Sequence, residues 1–396
     1  MEEEQMSILK IYNTKAVLEN SILENASIII EDGKIIGVEQ GNPDIADCEK
    51  IDAKGNFVSA GFIDIHTHGA GGSDFMDCTI DACKAISKAH AEHGTTLLYP
   101  TTLASDNAEL MTFLEVYNTA KPIVEGARFG GIHLEGPYFS YKFRGAQDPK
   151  HLRNPSPEEY MEILDGGFDI KRWSIAPELE GASELAKKCV ERGILPSIAH
   201  TDSIYEEVVD AHKSGYTLIT HFYSCMNTMT RRNAFKYAGC IEAGLLIEDM
   251  DIEIIADGLH VPEPFLKLVL KNKSPDHIAL ITDSMRAAGT SDKKSILGSL
   301  KKGQEVIIED NVAKLCDRTA FAGSIATGDR LIRTMINIAG CSLPDAIKMA
   351  TQTPARIMGA STKGKLAKGF DADIIIFDKD INIQKTIIDG KTVYAK

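Results

Sequence analysis

The stretch GFIDIHTHG, residues 61–69, is the segment that decides the predicted fold. It has the pattern of a buried apolar strand that ends in a His-X-His pair. Side chains alternate along a strand, so residues two apart lie on the same face. We therefore expect His66 and His68 to face one point at the carboxyl end of this strand. Such a pair is weak evidence by itself, and its meaning depends on whether other strands supply partners.

Apolar segments of strand length recur along the middle of the chain and are separated by helical patterns such as 184–192, 206–214 and 264–271. Alternating β and α units imply a parallel sheet, and eight of them predict an α/β fold of the closed (β/α)₈ TIM-barrel type. The predicted strands are residues 62–66, 95–99, 129–134, 173–176, 195–200, 217–221, 252–256 and 278–282.

The two ends of the chain have a different pattern from the middle. Near each end, β-branched runs flank an Asp-Gly pair, at Asp32-Gly33 and at Asp389-Gly390. This is the strongest short signal for a β-hairpin. We predict that residues 1–58 and 365–396 together form a small β-sandwich domain, and that residues 59–364 form the catalytic barrel domain.

Composition excludes several classes of function. The net charge of −14 argues against nucleic-acid binding, which depends on Lys and Arg. No apolar run approaches the roughly 18 residues needed to cross a membrane, and the first residues, MEEEQMS, lack the features of a secretory signal. The eight cysteines are scattered without a CxxC pair, which is typical of reduced thiols in a cytoplasmic protein.

Four further predicted strands end in a residue that can bind metal. Glu135 ends the third, His200 the fifth, His221 the sixth and Asp283 the eighth. Each could be an ordinary buried polar group, but such residues on five separate strand ends, counting the His-X-His pair, are improbable by chance. Imidazole nitrogens and carboxylate oxygens suit Zn²⁺ or Fe²⁺. We predict a metal centre at the end of the barrel where such enzymes keep their chemistry.

Two further histidines lie near these residues. His260 follows the seventh strand, and we expect it at the rim of the site, in contact with substrate. His133 should share a face with Glu135, where packing is slightly favoured over support of the metal centre.

Several longer segments, in this order, resemble the N-acetylglucosamine-6-phosphate deacetylase family of the amidohydrolase superfamily. The carboxyl-terminal run TPARIMGASTKGKLAKGFDADIIIFD, residues 353–378, resembles that family's return into its small β domain. The resemblance covers essentially the whole chain. The other segments are GFIDIHTHGAGG (61–72), HLEGPYFS (133–140), THFYSCM (220–226), IIADGLHV (254–261) and LITDSMRAAG (280–289).

The resemblance implies roles for individual residues and one or two divalent metal ions, with Zn²⁺ favoured over Fe²⁺. Asp283 matches the general acid and base of the family, beside the metal. His260 matches a histidine that contacts substrate. Arg232 matches an arginine that reaches the sugar phosphate of the neighbouring subunit in a homodimer. The implied metal ligands are Glu135, His200 and His221 for the main ion, and His66 and His68 for a second ion bridged by Glu135.

Three departures from the family fall in segments that bind substrate. Gln147 stands where the family usually has a histidine, and Ser224-Cys225 replaces an Asn-Ala pair near the phosphate. After Arg232, Asn233-Ala234-Phe235 stands in place of a Glu-Pro-Gly-like turn. We assign Gln147, Ser224 and Cys225 as substrate contacts. The departures leave the predicted metal chemistry intact and leave the substrate open.

The expected reaction is removal of the acetyl group from an N-acetylhexosamine 6-phosphate, first of all N-acetylglucosamine 6-phosphate, to give glucosamine 6-phosphate and acetate. Asp283 would take a proton from metal-activated water and return it to the amine. One alternative is another N-acyl substrate: N-acetylgalactosamine 6-phosphate, an unphosphorylated amino sugar or an N-acyl amino acid. A cyclic-amide hydrolase is disfavoured because residues 173–178 lack the lysine such enzymes use. The alternative of another class is an inactive scaffold, which would typically have lost metal ligands.

Overall fold

Short parallel strands form the centre of the protein in the computed structural model, which describes residues 8–396. Each of the eight predicted strands is present, with ends that differ from the prediction by up to three residues. Their apolar side chains are buried on both faces, as expected for a parallel sheet covered by helices. The strands are Phe62–Thr67, Thr95–Pro100, Ile132–Glu135, Ile170–Ile175, Leu195–Ile198, Leu218–Ile219, Asp251–Ile255 and Ile278–Ile281.

The strands form a curled parallel sheet in which neighbours follow the order of the chain. The first two pair with each other, and the third to the eighth form a continuous run of parallel neighbours. A parallel bridge between Thr101 and His133 links the second strand to the third. Another, between Thr67 and Ser284, links the first strand to the segment after the eighth. All eight carboxyl ends therefore lie at one edge, which is where the predicted site residues stand.

Helices alternate with the parallel strands along the chain. The predicted helices at 184–192, 206–214 and 264–271 are confirmed with shifts of one or two residues at their ends. Helix ends are fixed locally: Thr79 accepts a hydrogen bond from the Ala82 N–H, and Asp106 accepts one from Glu109. The helices are Ile80–Glu92, Asn107–Ala120, Pro157–Asp165, Ala182–Glu191, Tyr205–Lys213, Cys240–Leu246, Glu263–Asn272, Gly328–Asn337, Leu343–Ala350 and Gln352–Ile357.

Both ends of the chain contribute to a second, eight-stranded sheet. Phe57–Ala60 pairs antiparallel with Ile374–Phe377 and so joins the amino-terminal strands to the carboxyl-terminal ones. The amino-terminal strands are Ile8–Val17, Ile22–Glu31, Lys34–Gln40, Cys48–Asp52 and Phe57–Ala60, and the carboxyl-terminal ones are Ile374–Phe377, Ile383–Ile388 and Lys391–Ala395.

The two predicted hairpins of this sheet are confirmed. Asp32 and Gly33 have φ angles of 47° and 75°, and Asp389 and Gly390 have 50° and 76°. Positive φ at both central residues is the type I′ turn, whose twist matches the flanking strands. Residues 1–7 of the predicted terminal domain lie outside the described residues, and the division into two domains stays a prediction.

Besides the short antiparallel pair of Gly69–Ala70 with Ser73–Asp74, two small antiparallel units were not predicted from the sequence. One is a three-stranded sheet of Lys294–Leu297, Gln304–Glu309 and Val312–Leu315, and the other is a hairpin of Thr230–Arg232 with Phe235–Tyr237. Their strands are short, so their periodicity is weak in the sequence. Within residues 8–396, no helix is both long and apolar enough to cross a membrane.

Candidate metal centre and active site

Three of the predicted site residues adopt a left-handed backbone where their strand ends. The φ angles are 47° at His200, 31° at His221 and 45° at Asp283. His and Asp tolerate this region better than most residues, and such strained positions persist where the surrounding structure enforces them. Asp283 is held there by its N–H, which donates to the His66 carbonyl at 2.9 Å, and by its carbonyl, which accepts from Ser324 at 2.7 Å. The turns bring side chains from separate strands toward one point.

Glu135 lies at the centre of these converging side chains. Its Oε1 is 3.5 Å from His66 Nε2, 3.3 Å from His200 Nε2 and 3.2 Å from His221 Nε2. Its Oε2 is 3.5 Å from His68 Nε2. All five side chains are buried. A buried carboxylate surrounded by four imidazole nitrogens is the arrangement expected of a ligand shared by two metal sites.

The five residues form two groups that could hold a metal ion, and Glu135 belongs to both. One group is His66, His68 and Glu135, and the other is Glu135, His200 and His221. Within each group, the ligand atoms lie within 4.8 Å of one another. Nitrogen and carboxylate oxygen donors at this spacing fit a divalent transition metal.

Hydrogen bonds to main-chain carbonyls fix the orientation of two of the imidazoles. Nδ1 of His68 lies 3.3 Å from the Thr101 carbonyl, and Nδ1 of His200 lies 2.9 Å from the Phe143 carbonyl. A carbonyl only accepts, so each Nδ1 carries a proton, and each Nε2 can offer its lone pair to a metal ion once its own proton has been released. Nε2 of His66 is buried without any hydrogen-bond partner among the described residues. An unpaired ring nitrogen aimed at Glu135 fits a metal ligand.

Asp283 stands beside the His66 and His68 group. Its Oδ1 is 3.2 Å from His68 Nε2 and 3.6 Å from His66 Nε2. Burial alone would raise the pKa of Asp283, but the charge of His66 and the hydrogen bond from His68 outweigh it and hold the pKa below its usual value. The pKa of Glu135 is held well below its usual value in the same way, against burial and chiefly by His66. Both groups are therefore carboxylates at neutral pH.

A cavity of about 330 Å³ opens onto this cluster. The predicted metal ligands His68, Glu135, His200 and His221 line it, together with the aromatic side chains of Tyr223 and Phe321. None of the described residues that line the cavity is Lys or Arg. The cavity is the size of a small-molecule site and has a few polar groups that converge on one end.

Residues 57–393 match the amidohydrolase family. The chain belongs to this family. It is 33% identical to N-acetylglucosamine-6-phosphate deacetylase of Bacillus subtilis over 394 residues, which is 98% of this chain and 97% of that protein. The corresponding enzyme of Lysinibacillus sphaericus is 30% identical, over 93% of each chain. The prediction of an enzyme that hydrolyses an amide bond is confirmed, as is the resemblance inferred from the motifs.

Solved structures give the same result for the fold. N-acetylglucosamine-6-phosphate deacetylase from Thermotoga maritima is 30% identical, with a TM-score of 0.85 over 98% of this chain and 100% of that one. A variant of the Mycobacterium smegmatis deacetylase, solved in complex with N-acetyl-D-glucosamine-6-phosphate, is 27% identical. Its TM-score is 0.89, over 99% of this amidohydrolase and 100% of that chain.

Most of the residues predicted for the site lie together. The six predicted for metal chemistry, His66, His68, Glu135, His200, His221 and Asp283, form the cluster described above. Four of the five predicted substrate contacts line the cavity, namely His260, Gln147, Ser224 and Cys225. Their individual roles stay predictions. Arg232 is the exception, because it does not line the cavity.

Gln147 contacts a predicted metal ligand directly. Its amide nitrogen donates to Glu135 Oε2 at 2.6 Å, and its amide oxygen accepts from the Ala104 N–H at 2.9 Å. The Ala104 N–H fixes which way the amide points. Gln147 therefore holds the shared carboxylate in place in addition to lining the cavity, a contact that the sequence did not indicate.

His260 lines the cavity and is oriented by a neighbouring carboxylate. Its Nδ1 lies 2.8 Å from Asp257 Oδ2, and its ring centre is 4.7 Å from that of Phe321. Asp257 also accepts hydrogen bonds from the Leu259 and His260 N–H groups, so the turn after the strand is rigid. The Nε2 of His260 is therefore the polar atom of this side chain that remains available to a ligand.

Arg232 lies on the hairpin of 230–237, away from its own cavity. Asn233 and Ala234 form the two-residue turn, with φ angles of 50° and 70°. The Arg232 side chain is 47% exposed, 3.8 Å from Glu207 and 5.9 Å from the centre of the Tyr237 ring. Phe235, at the start of the returning strand, is 69% exposed. The departure at 233–235 is therefore a tight turn on an exposed hairpin.

Two charged residues below the metal centre were missed by sequence reasoning. Glu253 and Arg172 are fully buried and form an ion pair, and Glu253 also contacts His66. Burial would raise the pKa of Glu253, but the Arg172 charge holds it below its usual value. A signal was present, because each interrupts an apolar strand with a charge, in DIEII (251–255) and IKRWSI (170–175).

His133 lies close to the same cluster. Its Nε2 is 2.7 Å from Ser174 Oγ and its Nδ1 is 3.2 Å from Thr101 Oγ1. Its ring packs edge-on against the His66 ring, with centres 4.7 Å apart. It therefore packs as expected, and the residue that it packs against is a predicted metal ligand.

Proposed function

We propose that this amidohydrolase removes the acetyl group from N-acetylglucosamine 6-phosphate, giving glucosamine 6-phosphate and acetate. The observation that carries the proposal is the position of Glu135, which is shared by two groups of imidazoles at one end of a cavity of small-molecule size. Relatives that bear this activity in their names match over 93–98% of the chain. The Mycobacterium smegmatis relative was solved in complex with N-acetyl-D-glucosamine-6-phosphate itself.

We propose Zn²⁺ as the metal, with Fe²⁺ as the alternative, in one or two sites per chain. Glu135, His200 and His221 would hold the main ion, and His66, His68 and Glu135 a second. When bound, such an ion lowers the pKa of water from about 15.7 to roughly 7 and stabilises negative charge on the substrate oxygen. The unpaired Nε2 of His66 and the fixed Nδ1 protons of His68 and His200 support this assignment.

Asp283 would move the proton. As a carboxylate at neutral pH, it accepts a proton from the attacking water and returns it to the nitrogen of the leaving amine. His260, held by Asp257, would orient the sugar in the cavity, together with Gln147, Ser224 and Cys225. Tyr223 and Phe321 would exclude water from the reacting end.

We also propose that the parallel strands close into a (β/α)₈ barrel over residues 59–364, with the strands of 1–58 and 365–396 forming the small domain. The parallel bridges at Thr67–Ser284 and Thr101–His133 support closure. Among the described residues all eight cysteines are unpaired, which agrees with the reducing environment of the cytoplasm.

The phosphate requires a positive charge that the described lining of the cavity lacks. We propose that the protein is a homodimer and that Arg232 of a second copy supplies this charge. The exposure of Arg232 on a hairpin, with Phe235 exposed beside it, supports a contact between copies. A guanidinium suits this task because it binds phosphate through paired hydrogen bonds.

Mixing two inactive variants tests the shared site. Arg232→Ala and Asp283→Asn homodimers should each be nearly inactive. Random mixing yields heterodimers half of the time, and one site in each heterodimer has both Asp283 and the neighbour's Arg232. Activity should therefore return to about a quarter of the wild-type value. A mixture no more active than its components would exclude an Arg232 supplied by the neighbouring chain.

The absence of a cation in the lining also favours a second candidate, an uncharged N-acyl amino sugar. A substrate panel on protein of measured metal content separates the two. It should compare N-acetylglucosamine with its 6-phosphate, N-acetylgalactosamine 6-phosphate and an N-acetyl amino acid, with acetate release as the measurement. We expect kcat/KM to be highest for N-acetylglucosamine 6-phosphate and to lose that preference in Arg232→Ala. Equal rates with and without phosphate would favour the second candidate.

A further inference from the structure

We propose that the buried ion pair of Glu253 and Arg172 positions the metal centre, with Glu253 holding His66 so that its Nε2 faces Glu135. Glu253 is thus a positioning residue for the site formed by His66, His68 and Glu135. The inference rests on the proposed metal centre and concerns residues that lie beneath it and do not line the cavity.

One carboxylate oxygen of Glu253 makes three contacts at once. Its Oε2 is 3.4 Å from His66 Nδ1, 3.2 Å from the His221 main-chain nitrogen and 3.0 Å from Arg172 Nη2. The ring of His66 has only one other nitrogen, the unpaired Nε2. A carboxylate only accepts, so Nδ1 carries the proton and Nε2 keeps its lone pair for a metal.

Arg172 is held as firmly as the carboxylate that it neutralises. It donates from Nε to Ser197 Oγ at 2.8 Å, from Nη2 to Thr220 Oγ1 at 2.6 Å and from Nη1 to the Ile65 carbonyl at 3.3 Å. These partners come from the first, fifth and sixth parallel strands. The guanidinium therefore ties Glu253 to the strands around it and prevents the carboxylate from turning away from His66.

Stability alone does not account for an ion pair at this depth. Both side chains have no solvent exposure. Apolar side chains of similar volume often replace such a pair with no loss of stability, and in α/β barrels branched apolar residues usually fill these positions. Besides Arg172, Glu253 contacts the His66 ring and the His221 main-chain nitrogen, and of these two only the ring is a side chain whose orientation a metal site requires. The function that the ion pair serves is therefore the orientation of His66.

Glu253→Gln provides the direct test. Glutamine keeps the size of the side chain but removes the charge, and its amide can donate to Nδ1 and so favour the wrong tautomer of His66. Loss of a carboxylate behind a ligating histidine typically costs 10–100-fold in metal affinity. We expect a loss of this size at the site of His66 and His68, with the site of His200 and His221 less affected.

The double variant Arg172→Met with Glu253→Leu separates positioning from folding. Removing both charges leaves none unpaired in the interior, so we expect the metal-stripped variant to unfold at a temperature close to that of the metal-stripped wild type. Metal binding should nevertheless weaken as in Glu253→Gln, because nothing then fixes His66. His66→Ala is the reference for complete loss of that site.

The measurement is titration of the metal-stripped full-length chain with Zn²⁺ against a competing chelator, with bound zinc counted per chain. The proposal is supported if both Glu253 variants weaken the binding step that His66→Ala removes. It is overturned if the folded double variant binds Zn²⁺ like the wild type, or if His66→Ala changes no binding step. In the latter case, acetate release by the wild-type enzyme would still support the proposed function, so the two failures can be distinguished.

Discussion

Replacing Asp283 by Asn is the substitution that most directly tests the proposed chemistry. The change removes the charge and the ability to accept a proton while keeping the shape of the side chain. Asp283 has a φ angle of 45°, a left-handed conformation that Asn adopts more readily than most residues. Its backbone hydrogen bonds to His66 and Ser324 do not involve the side chain. We therefore expect the variant to fold and to keep the metal-binding groups in place.

The expected loss follows from the position of the carboxylate. Its Oδ1 lies within 3.6 Å of both His66 and His68, beside the predicted metal ligands. His260, the one histidine of the described cavity lining that is not a predicted metal ligand, is held by Asp257. Loss of a positioned general base typically costs 10²- to 10⁴-fold in kcat, or about 2.7 to 5.4 kcal/mol of transition-state stabilisation.

The assay is acetate release from N-acetylglucosamine 6-phosphate, with the metal content of each preparation measured in parallel. Asp251→Asn is a matched control, because Asp251 is 5% exposed against 8% for Asp283 but lies at the amino end of its strand. It pairs with His277 and Arg356, so its loss should lower stability and leave kcat unchanged. A kcat of Asp283→Asn within about threefold of wild type, at equal metal content, would refute the proton-transfer role. A parallel loss of metal and activity would instead identify Asp283 as a ligand.

Three further predictions concern the metal requirement, the contact of Gln147 with Glu135, and stability at acid pH. Chelation should abolish acetate release and lower the thermal midpoint, both reversibly with added Zn²⁺, and full activity in metal-free protein would contradict the metal assignment. Gln147→Leu leaves the Ala104 N–H without its partner and removes the hydrogen bond that Glu135 Oε2 accepts, so it should cost about 1–3 kcal/mol in denaturant unfolding. Zinc retention in competition with a chelator should also weaken, and stability equal to wild type would argue that Gln147 does not hold Glu135 in place. Burial would raise the pKa of Asp329, but the hydrogen bond and charge of His93 outweigh it and lower the pKa from 3.8 to about 2. The stability from this carboxylate is thus present above pH 3.8 and lost as the pH falls toward 2. In urea unfolding from pH 4 to pH 2, the free energy of unfolding of Asp329→Asn should therefore fall less steeply than that of wild type. Parallel curves would contradict the assignment.

The central strands and the residues at their ends could be predicted from the sequence. Each strand is a short apolar run with a helical pattern after it, and burial on both faces makes such a run visible without knowledge of its neighbours. His200, His221 and Asp283 come directly after such runs. Since parallel strands present their carboxyl ends at one edge, their proximity followed from chain order alone. The two Asp-Gly hairpins could be predicted equally well, because the two residues of each turn fix its conformation.

The sequence by itself therefore determined the class of fold, the members of the cluster of candidate metal ligands and, through its motifs, the resemblance to a deacetylase. Only the tertiary structure decided what supports that cluster. Arg172 and Glu253 are 81 residues apart, and Gln147 reaches Glu135 from a loop with no regular period. Contacts of this kind depend on the curvature of the sheet and on side-chain reach across strands. A hydrophobic period records which face of a strand is buried, but it does not record which side chain on another strand will meet it there.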